Sequence, residues 1–183
     1  MPGLVPYSIA DVDPDIFAGN CHKWMMAANG AGFLYVRGDL QDVLEPPVVS
    51  NGWLDVRSDQ TNVGPFGNTK FVDRMGFPGT PDVLPLLSVR AACEFKQKMG
   101  WDALCAKAAD TLEGWAQNTI AAFDFPALAP RGLRAPQMVA LDLGRDYSTL
   151  QKRLFDTHQI EIPVIPFEGR HFIRASFQPY NTT

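Results

Sequence analysis

The chain has 183 residues, of which 46% are hydrophobic and 20% charged, and its formal net charge is −4. This balance is typical of one globular domain or slightly more, and the acidic charge argues against nucleic acid or an anionic membrane surface as a partner. Three widely spaced cysteines suit a reducing cytoplasm better than a disulfide framework, and we expect neither a signal peptide nor a membrane-spanning helix.

The first elements are short. Residues 1–15 are rich in proline and aspartate and predict a connecting loop, which residues 16–20 follow as a short strand. The sequence Gly-Ala-Gly at 30–32 predicts a turn, and the apolar run at 33–36 predicts a buried strand. Residues 50–80 form a long polar, glycine-rich passage, and a loop of that length is usually functional or part of an interface.

The second half of the chain predicts helices followed by a small α+β unit. The sequence Phe-Pro-Gly-Thr-Pro-Asp at 77–82 looks like a helix entry. Apolar residues at helical spacing then predict two helices, and three prolines mark a linker before the β-α-β-β run. The predicted elements are helices over 82–99 and 101–122, a linker over 124–136, a strand over 137–143, a helix over 147–158, and strands over 160–165 and 172–176.

Lys23 stands between His22 and Trp24, where the neighbouring residues look buried. In one interpretation its stem packs while the amine reaches water. In the other, the amine attacks an aldehyde and forms a Schiff base, and the adjacent histidine and glycine-rich turn would suit a phosphate-bearing aldehyde cofactor. The histidines and cysteines show no spacing typical of metal ligands, so we predict no metal site.

Three motifs in the same order resemble the class V aminotransferase family. They are Asn-Cys-His-Lys-Trp with the following Gly-Ala-Gly-Phe-Leu-Tyr-Val, then Phe-Pro-Gly-Thr-Pro-Asp, then Arg-Ala-Ser with the later Tyr-Asn-Thr. The likeness extends over nearly the whole chain and is greatest to the isopenicillin N epimerase-like branch, with cysteine desulfurases as a sister branch. It implies an α/β fold of the type I pyridoxal-phosphate transferases, with 1–80 as the end of the large domain and 81–183 as helices and a small C-terminal α+β domain.

The resemblance also implies roles for individual residues. Lys23 would form the Schiff base with pyridoxal 5'-phosphate and move the Cα proton of an amino-acid substrate. His22 and Asn20 match positions that hold or adjoin the cofactor phosphate. Thr80 matches a threonine that reaches the phosphate in the neighbouring subunit, which implies a homodimer, although it could equally cap a helix that begins at Pro81.

Arg174 matches the arginine that binds the substrate α-carboxylate, a task that suits its planar fork of donors. The alternative is a surface arginine at a strand edge; the apolar neighbours Phe172, Ile173 and Ala175 favour the functional interpretation. One departure from the family is Ala28-Asn29 before Gly30, where a Pro-Lys pair is usual.

The resemblance covers only the C-terminal portion of the family. The aspartate that pairs with the pyridine nitrogen and the aromatic residue that stacks on the ring would lie upstream of this sequence, and a last helix would follow it. We therefore expect a truncated or split enzyme that is weakly active or inactive alone. Epimerisation, transamination and C–S cleavage share their first steps and stay open, and the alternative to an enzyme is a non-catalytic remnant that binds its upstream half or a second copy.

Overall fold

The structure is a computed structural model that describes residues 2–54, 61–144 and 146–182. It divides into two compact units, Met1–Ala92 and Cys93–Thr183. Within the described ranges, each unit contains its own antiparallel sheet, one of two strands and one of three. Of the helices in the described ranges, none combines the length and the apolar character needed to cross a membrane.

The first unit is built around a β-hairpin. Helix α1 (Ile9–Val12) precedes strands β1 (Ile16–Asn20) and β2 (Gly32–Val36), so the predicted loop over 1–15 contains one helical turn. The two strands pair in antiparallel register with Asn20 opposite Gly32. Both predicted strands are confirmed, but the predicted burial of residues 33–36 is wrong except at Val36, because Leu34 is exposed. The pairing of the strands brings together the two ends of the segment that carries Lys23.

The passage at 50–80 is more ordered than the prediction of one long loop. It contains a 3-10 turn at Asn51–Trp53 and helix α2 (Lys70–Gly76), whereas residues 55–60 lie outside the described part of the chain. Asp73 is buried, and its carboxylate accepts hydrogen bonds from the Phe66 amide at 2.8 Å and the Asn68 side chain at 2.7 Å. The polar and glycine-rich sequence did not predict helix α2, because the helix is stabilised by these tertiary contacts rather than by an apolar stripe.

Two long helices follow, as predicted. Helix α3 (Leu84–Met99) includes the residues on both sides of the boundary between the units, and helix α4 (Trp101–Phe123) follows directly. Gly100 separates them with a left-handed φ of 59°, a conformation that a glycine adopts at little cost.

The sheet of the second unit contains β3 (Met138–Asp142), β4 (Val164–Phe167) and β5 (Arg170–Ser176) in the order β3-β5-β4, and helix α5 (Leu150–His158) lies between β3 and β4 in the sequence. Residues from helix α4 and from the sheet bury each other on one face. The core of this unit is formed by Leu112, Ala116, Val139 and Leu141, with Ile173 and Ala175 packed against it.

Strand β4 lies later than the predicted range of 160–165. It ends at a two-residue turn formed by Glu168 and Gly169, whose φ angles of 47° and 74° are both left-handed. Such a turn matches the twist of two paired strands and fixes their register. The apolar run alone cannot locate the strand, because a Glu-Gly turn is a weaker signal than Asn-Gly. Helix α5 likewise begins at Leu150 rather than at the predicted residue 147.

Candidate functional site

The loop between β1 and β2, residues 21–31, holds Lys23 in a hydrogen-bonded turn. The Cys21 amide donates to the Ala31 carbonyl at 2.9 Å, which extends the hairpin by one pair. The Met26 amide donates to the Lys23 carbonyl at 3.0 Å, and Met26 adopts a left-handed φ of 63°. The backbone at Lys23 is therefore fixed by local bonds.

The same loop is attached to the first unit by its small apolar residues, while Lys23 itself is exposed. The buried cluster under the loop consists of Cys21, Ala27, Ala31 and Ala92. The sequence suggested buried neighbours, and Trp24 is indeed buried, with only 7% of its surface exposed. Lys23 is thus an exposed residue on a loop with a well-packed base, and the burial that the sequence suggested around it does not extend to Lys23 itself.

The imidazole of His22 is oriented by the backbone of the same loop. Its Nδ1 lies 3.3 Å from the Ala31 carbonyl oxygen, which makes Nδ1 the protonated donor and leaves Nε2 for another partner. Asn20 is exposed at the end of β1, and its side chain makes no hydrogen bond within the described residues. Asn20, His22 and Lys23 therefore occupy one end of the hairpin, with polar atoms available.

A contact that sequence reasoning did not predict joins this loop to helix α3. The Ser88 hydroxyl accepts a hydrogen bond from the Ala28 amide at 2.8 Å and donates to the Pro85 carbonyl at 2.6 Å. Gly30 lies over the same turn of the helix with a left-handed φ of 94°, and a Cβ there would lie 3.5 Å from the Pro85 ring. No local signal marks Ser88, because a serine in an early helical turn is common.

Thr80 is exposed in the segment before helix α3. The helix begins at Leu84, and the Asp82 carboxylate accepts a hydrogen bond from the Leu84 amide at 2.9 Å. Asp82 therefore serves the first turn of this helix, and the interpretation of Thr80 as its cap is wrong. A role for Thr80 in binding a phosphate stays a prediction.

Arg174 belongs to the second unit and lies on β5, the central strand of the three-stranded sheet. The alternative of a surface arginine at a strand edge is therefore right about the surface and wrong about the edge. Its side chain is exposed, and its backbone amide donates to the Pro163 carbonyl at 3.2 Å. Arg174 lines a cavity of about 240 Å³ whose other walls are Glu161, Ile162, Pro163, Ala175 and Ser176.

Arg37 closes the opposite end of the hairpin. Its Nε donates to one Asp39 oxygen at 2.7 Å and a second guanidinium nitrogen donates to the other at 3.0 Å, while Asp15 accepts a further bond. The hydrogen bonds from Arg37 lower the pKa of Asp39, and the two carboxylates raise the pKa of Arg37. These charges hold the ends of the strands and lie outside the group around Lys23.

The sequence profile of the family described as "Aminotransferase class-V" matches residues 3–183. The isopenicillin N epimerase of Amycolatopsis lactamdurans is 31% identical to the chain, over 99% of this chain and 46% of that protein. The chain thus spans about half the length of this curated relative.

Solved structures show the same fold. The apo cysteine desulfurase of Thermococcus onnurineus NA1 superposes with a TM-score of 0.71 at 20% identity, covering 95% of this chain and 44% of that one. A C-DES mutant with glycine covalently linked to its PLP cofactor superposes with a TM-score of 0.70 at 18% identity, covering 97% and 45% of the two chains. These likenesses confirm the α/β fold that the sequence predicts, and at these identities they carry the fold alone.

Proposed function

The chain belongs to the class-V aminotransferase family, and we propose on that premise that it supplies the C-terminal half of a pyridoxal 5'-phosphate enzyme that acts on an amino acid. The single observation that supports this most is Lys23, an exposed amine on a loop whose backbone is fixed and whose base is buried. A structural lysine on the surface needs no such rigid support. An amine that must hold one position against a cofactor does.

The residues near Lys23 fit this cofactor. A primary amine can condense with its aldehyde. The ring of His22, held through Nδ1 by Ala31, can donate from Nε2 to a phosphate oxygen when both ring nitrogens are protonated. The amide of Asn20 at the end of β1 offers two more donors without a full charge. This donor set suits a phosphate ester beside an aldehyde.

When bound, pyridoxal phosphate withdraws electrons from the bonds at the α-carbon of an amino acid. Lys23 would hold the cofactor through its amine and then take a proton from that α-carbon and return one to it. Arg174 would bind the substrate carboxylate with two parallel hydrogen bonds and fix its orientation. The Thr80 hydroxyl would donate a hydrogen bond to the phosphate held by a second subunit, so a homodimer is part of the proposal.

Among the possible reactions, the proposal favours epimerisation. The relative that is 31% identical is named isopenicillin N epimerase, whereas the desulfurase structures lie at 20% identity or below. Transamination and C–S cleavage remain the alternatives, because the described residues supply the steps that all three share. The same proposal includes three further points. The protein is cytoplasmic, the chain divides at 80/81 into large-domain and small-domain parts, and an upstream half chain completes the site.

The test is to mix the purified chain with pyridoxal phosphate, reduce it with borohydride and map the modified lysines by mass spectrometry. We expect the dominant adduct on Lys23, and its loss in Lys23→Ala. Lys107→Ala is the matched control, because Lys107 is also exposed but lies in helix α4. Equal labelling of Lys23 and Lys107, or unchanged labelling in Lys23→Ala, would overturn the proposal.

A further inference from the structure

The two faces of β5 have different surroundings. Ile173 and Ala175 pack against the core of the second unit. Because successive side chains of a strand point to opposite faces, Arg174 and Ser176 lie on the other face of the sheet. Arg174 and Ser176 are both exposed there. This face is where a ligand can meet the guanidinium.

The segment before β4 forms the second wall of the cavity on this face. Its position is fixed by the hydrogen bond from the Arg174 amide to the Pro163 carbonyl, at 3.2 Å. Glu161 therefore lines the same 240 Å³ cavity as Arg174. The residues that line the cavity thus include one basic residue, Arg174, one acidic residue, Glu161, and Ser176.

The two opposite charges do not neutralise each other by direct contact. Within the described part of the chain no ion pair joins Glu161 to Arg174, and neither side chain makes another hydrogen bond there. Glu161 and Arg174 line one cavity of about 240 Å³, so a ligand held there by Arg174 lies beside Glu161. Charges that lie closer together than the screening length of about 8–10 Å at moderate salt interact with each other.

We propose that Glu161 determines which side chains the Arg174 cavity accepts, by favouring amino acids with a neutral or cationic side chain and disfavouring those with a second carboxylate. This inference rests on the proposed function only in assigning an amino-acid α-carboxylate to Arg174. Arg174 binds that carboxylate, and a second carboxylate on the same ligand meets the like charge of Glu161. An ammonium group or a hydrogen-bond donor on the ligand side chain would instead interact favourably with the Glu161 carboxylate.

The experiment compares L-glutamine with L-glutamate, which differ in charge but hardly in size. Binding to the full chain is followed by the side-chain Nε–H signals of arginine in ¹⁵N-labelled protein. We expect glutamine to bind about two- to fivefold more tightly than glutamate at low salt, as expected for one exposed charge interaction. High salt should reduce this preference.

Substitutions then show which residues cause the preference for glutamine over glutamate. Glu161→Gln should remove the preference, whereas Glu168→Gln should keep it, because Glu168 lies in the turn between β4 and β5 and does not line the cavity. Arg174→Gln should abolish the binding of both amino acids. Native-like amide spectra of each variant show that the chain is folded.

Three results would overturn the inference: no binding by the wild-type chain, an unchanged preference in Glu161→Gln, or retained binding in Arg174→Gln. Capture of pyridoxal phosphate at Lys23 is measured in the same preparations and separates this inference from the proposed function. A charge preference without cofactor capture would contradict the proposed function alone. Cofactor capture in a chain whose preference ignores Glu161 would contradict this inference alone.

Discussion

The hydroxyl of Ser88 accepts a hydrogen bond from the amide of Ala28, 60 residues earlier in the chain, at 2.8 Å. The same hydroxyl donates to the Pro85 carbonyl, so both of its roles are fulfilled. This contact attaches the loop that carries Lys23 to the first turns of helix α3, the helix that follows Thr80. Two segments with proposed cofactor contacts are therefore linked within one compact unit.

Replacing Ser88 with alanine should loosen the Lys23 loop. The loss of one partner leaves the Ala28 amide without its acceptor, which costs about 1 kcal/mol in the free energy of unfolding. We expect a lower yield of the reduced cofactor adduct at Lys23 under conditions where the variant remains folded. Thr119→Ala is the control, because the hydroxyl of Thr119 donates to the Trp115 carbonyl of its own helix. Equal adduct yields in Ser88→Ala and wild type would show that the contact does not position Lys23.

Replacing His22 with phenylalanine should weaken the capture of pyridoxal phosphate specifically. The substitution keeps a flat ring but removes the Nε2 donor, and a charge-assisted hydrogen bond is worth about 1.5–3 kcal/mol, or roughly 10- to 100-fold in affinity. Pyridoxal, which lacks the phosphate, serves as the matched ligand, and its capture should change little. The measurement is the concentration dependence of the reduced adduct at Lys23. A parallel loss for both aldehydes would place His22 away from the phosphate.

Among the described glycines of the first unit, Gly52 is the one at which an added Cβ would make the shortest contact. A Cβ at Gly52 would lie 2.0 Å from the backbone oxygen of Asp73. Asp73 belongs to helix α2, and its carboxylate binds Phe66 and Asn68. Gly52→Ala should therefore lower the free energy of unfolding by about 1–3 kcal/mol or more, through overpacking. Gly38→Ala is the control, because nothing in the described structure lies within 4 Å of its added Cβ. Urea unfolding measures both, and equal midpoints would contradict the packing of Gly52 against Asp73.

The charged end of the hairpin should make stability sensitive to acid. Because Arg37 lowers the pKa of Asp39 below its usual 3.8 in the folded state, this carboxylate stabilises the fold above about pH 4. The contribution is lost as the pH falls through the folded-state value. We expect the melting temperature to fall more steeply in wild type than in Asp39→Asn between about pH 5 and pH 3. Salt should shrink the difference, since both side chains are exposed. Identical slopes would mean that this pair does not stabilise the hairpin.

Patterns of short range predicted much of the fold. Strands β1 and β2 and helices α3 and α4 follow from apolar periodicity and from glycine positions, because those signals act within a few residues. Helix α2 was not predicted, and β4 was placed too early. The first depends on the burial of Asp73, and the second depends on the turn at Glu168 and Gly169.

The local sequence sets the neighbourhood of Lys23. His22 and Asn20 lie beside it in any fold of this chain, and the order of motifs is enough to indicate the family. Two further features come from the packing of whole elements: Ser88 holds the loop that carries Lys23, and Glu161 lines the same cavity as Arg174. The reason is physical: contacts between residues distant in sequence depend on how whole elements pack, and local composition carries little information about that packing.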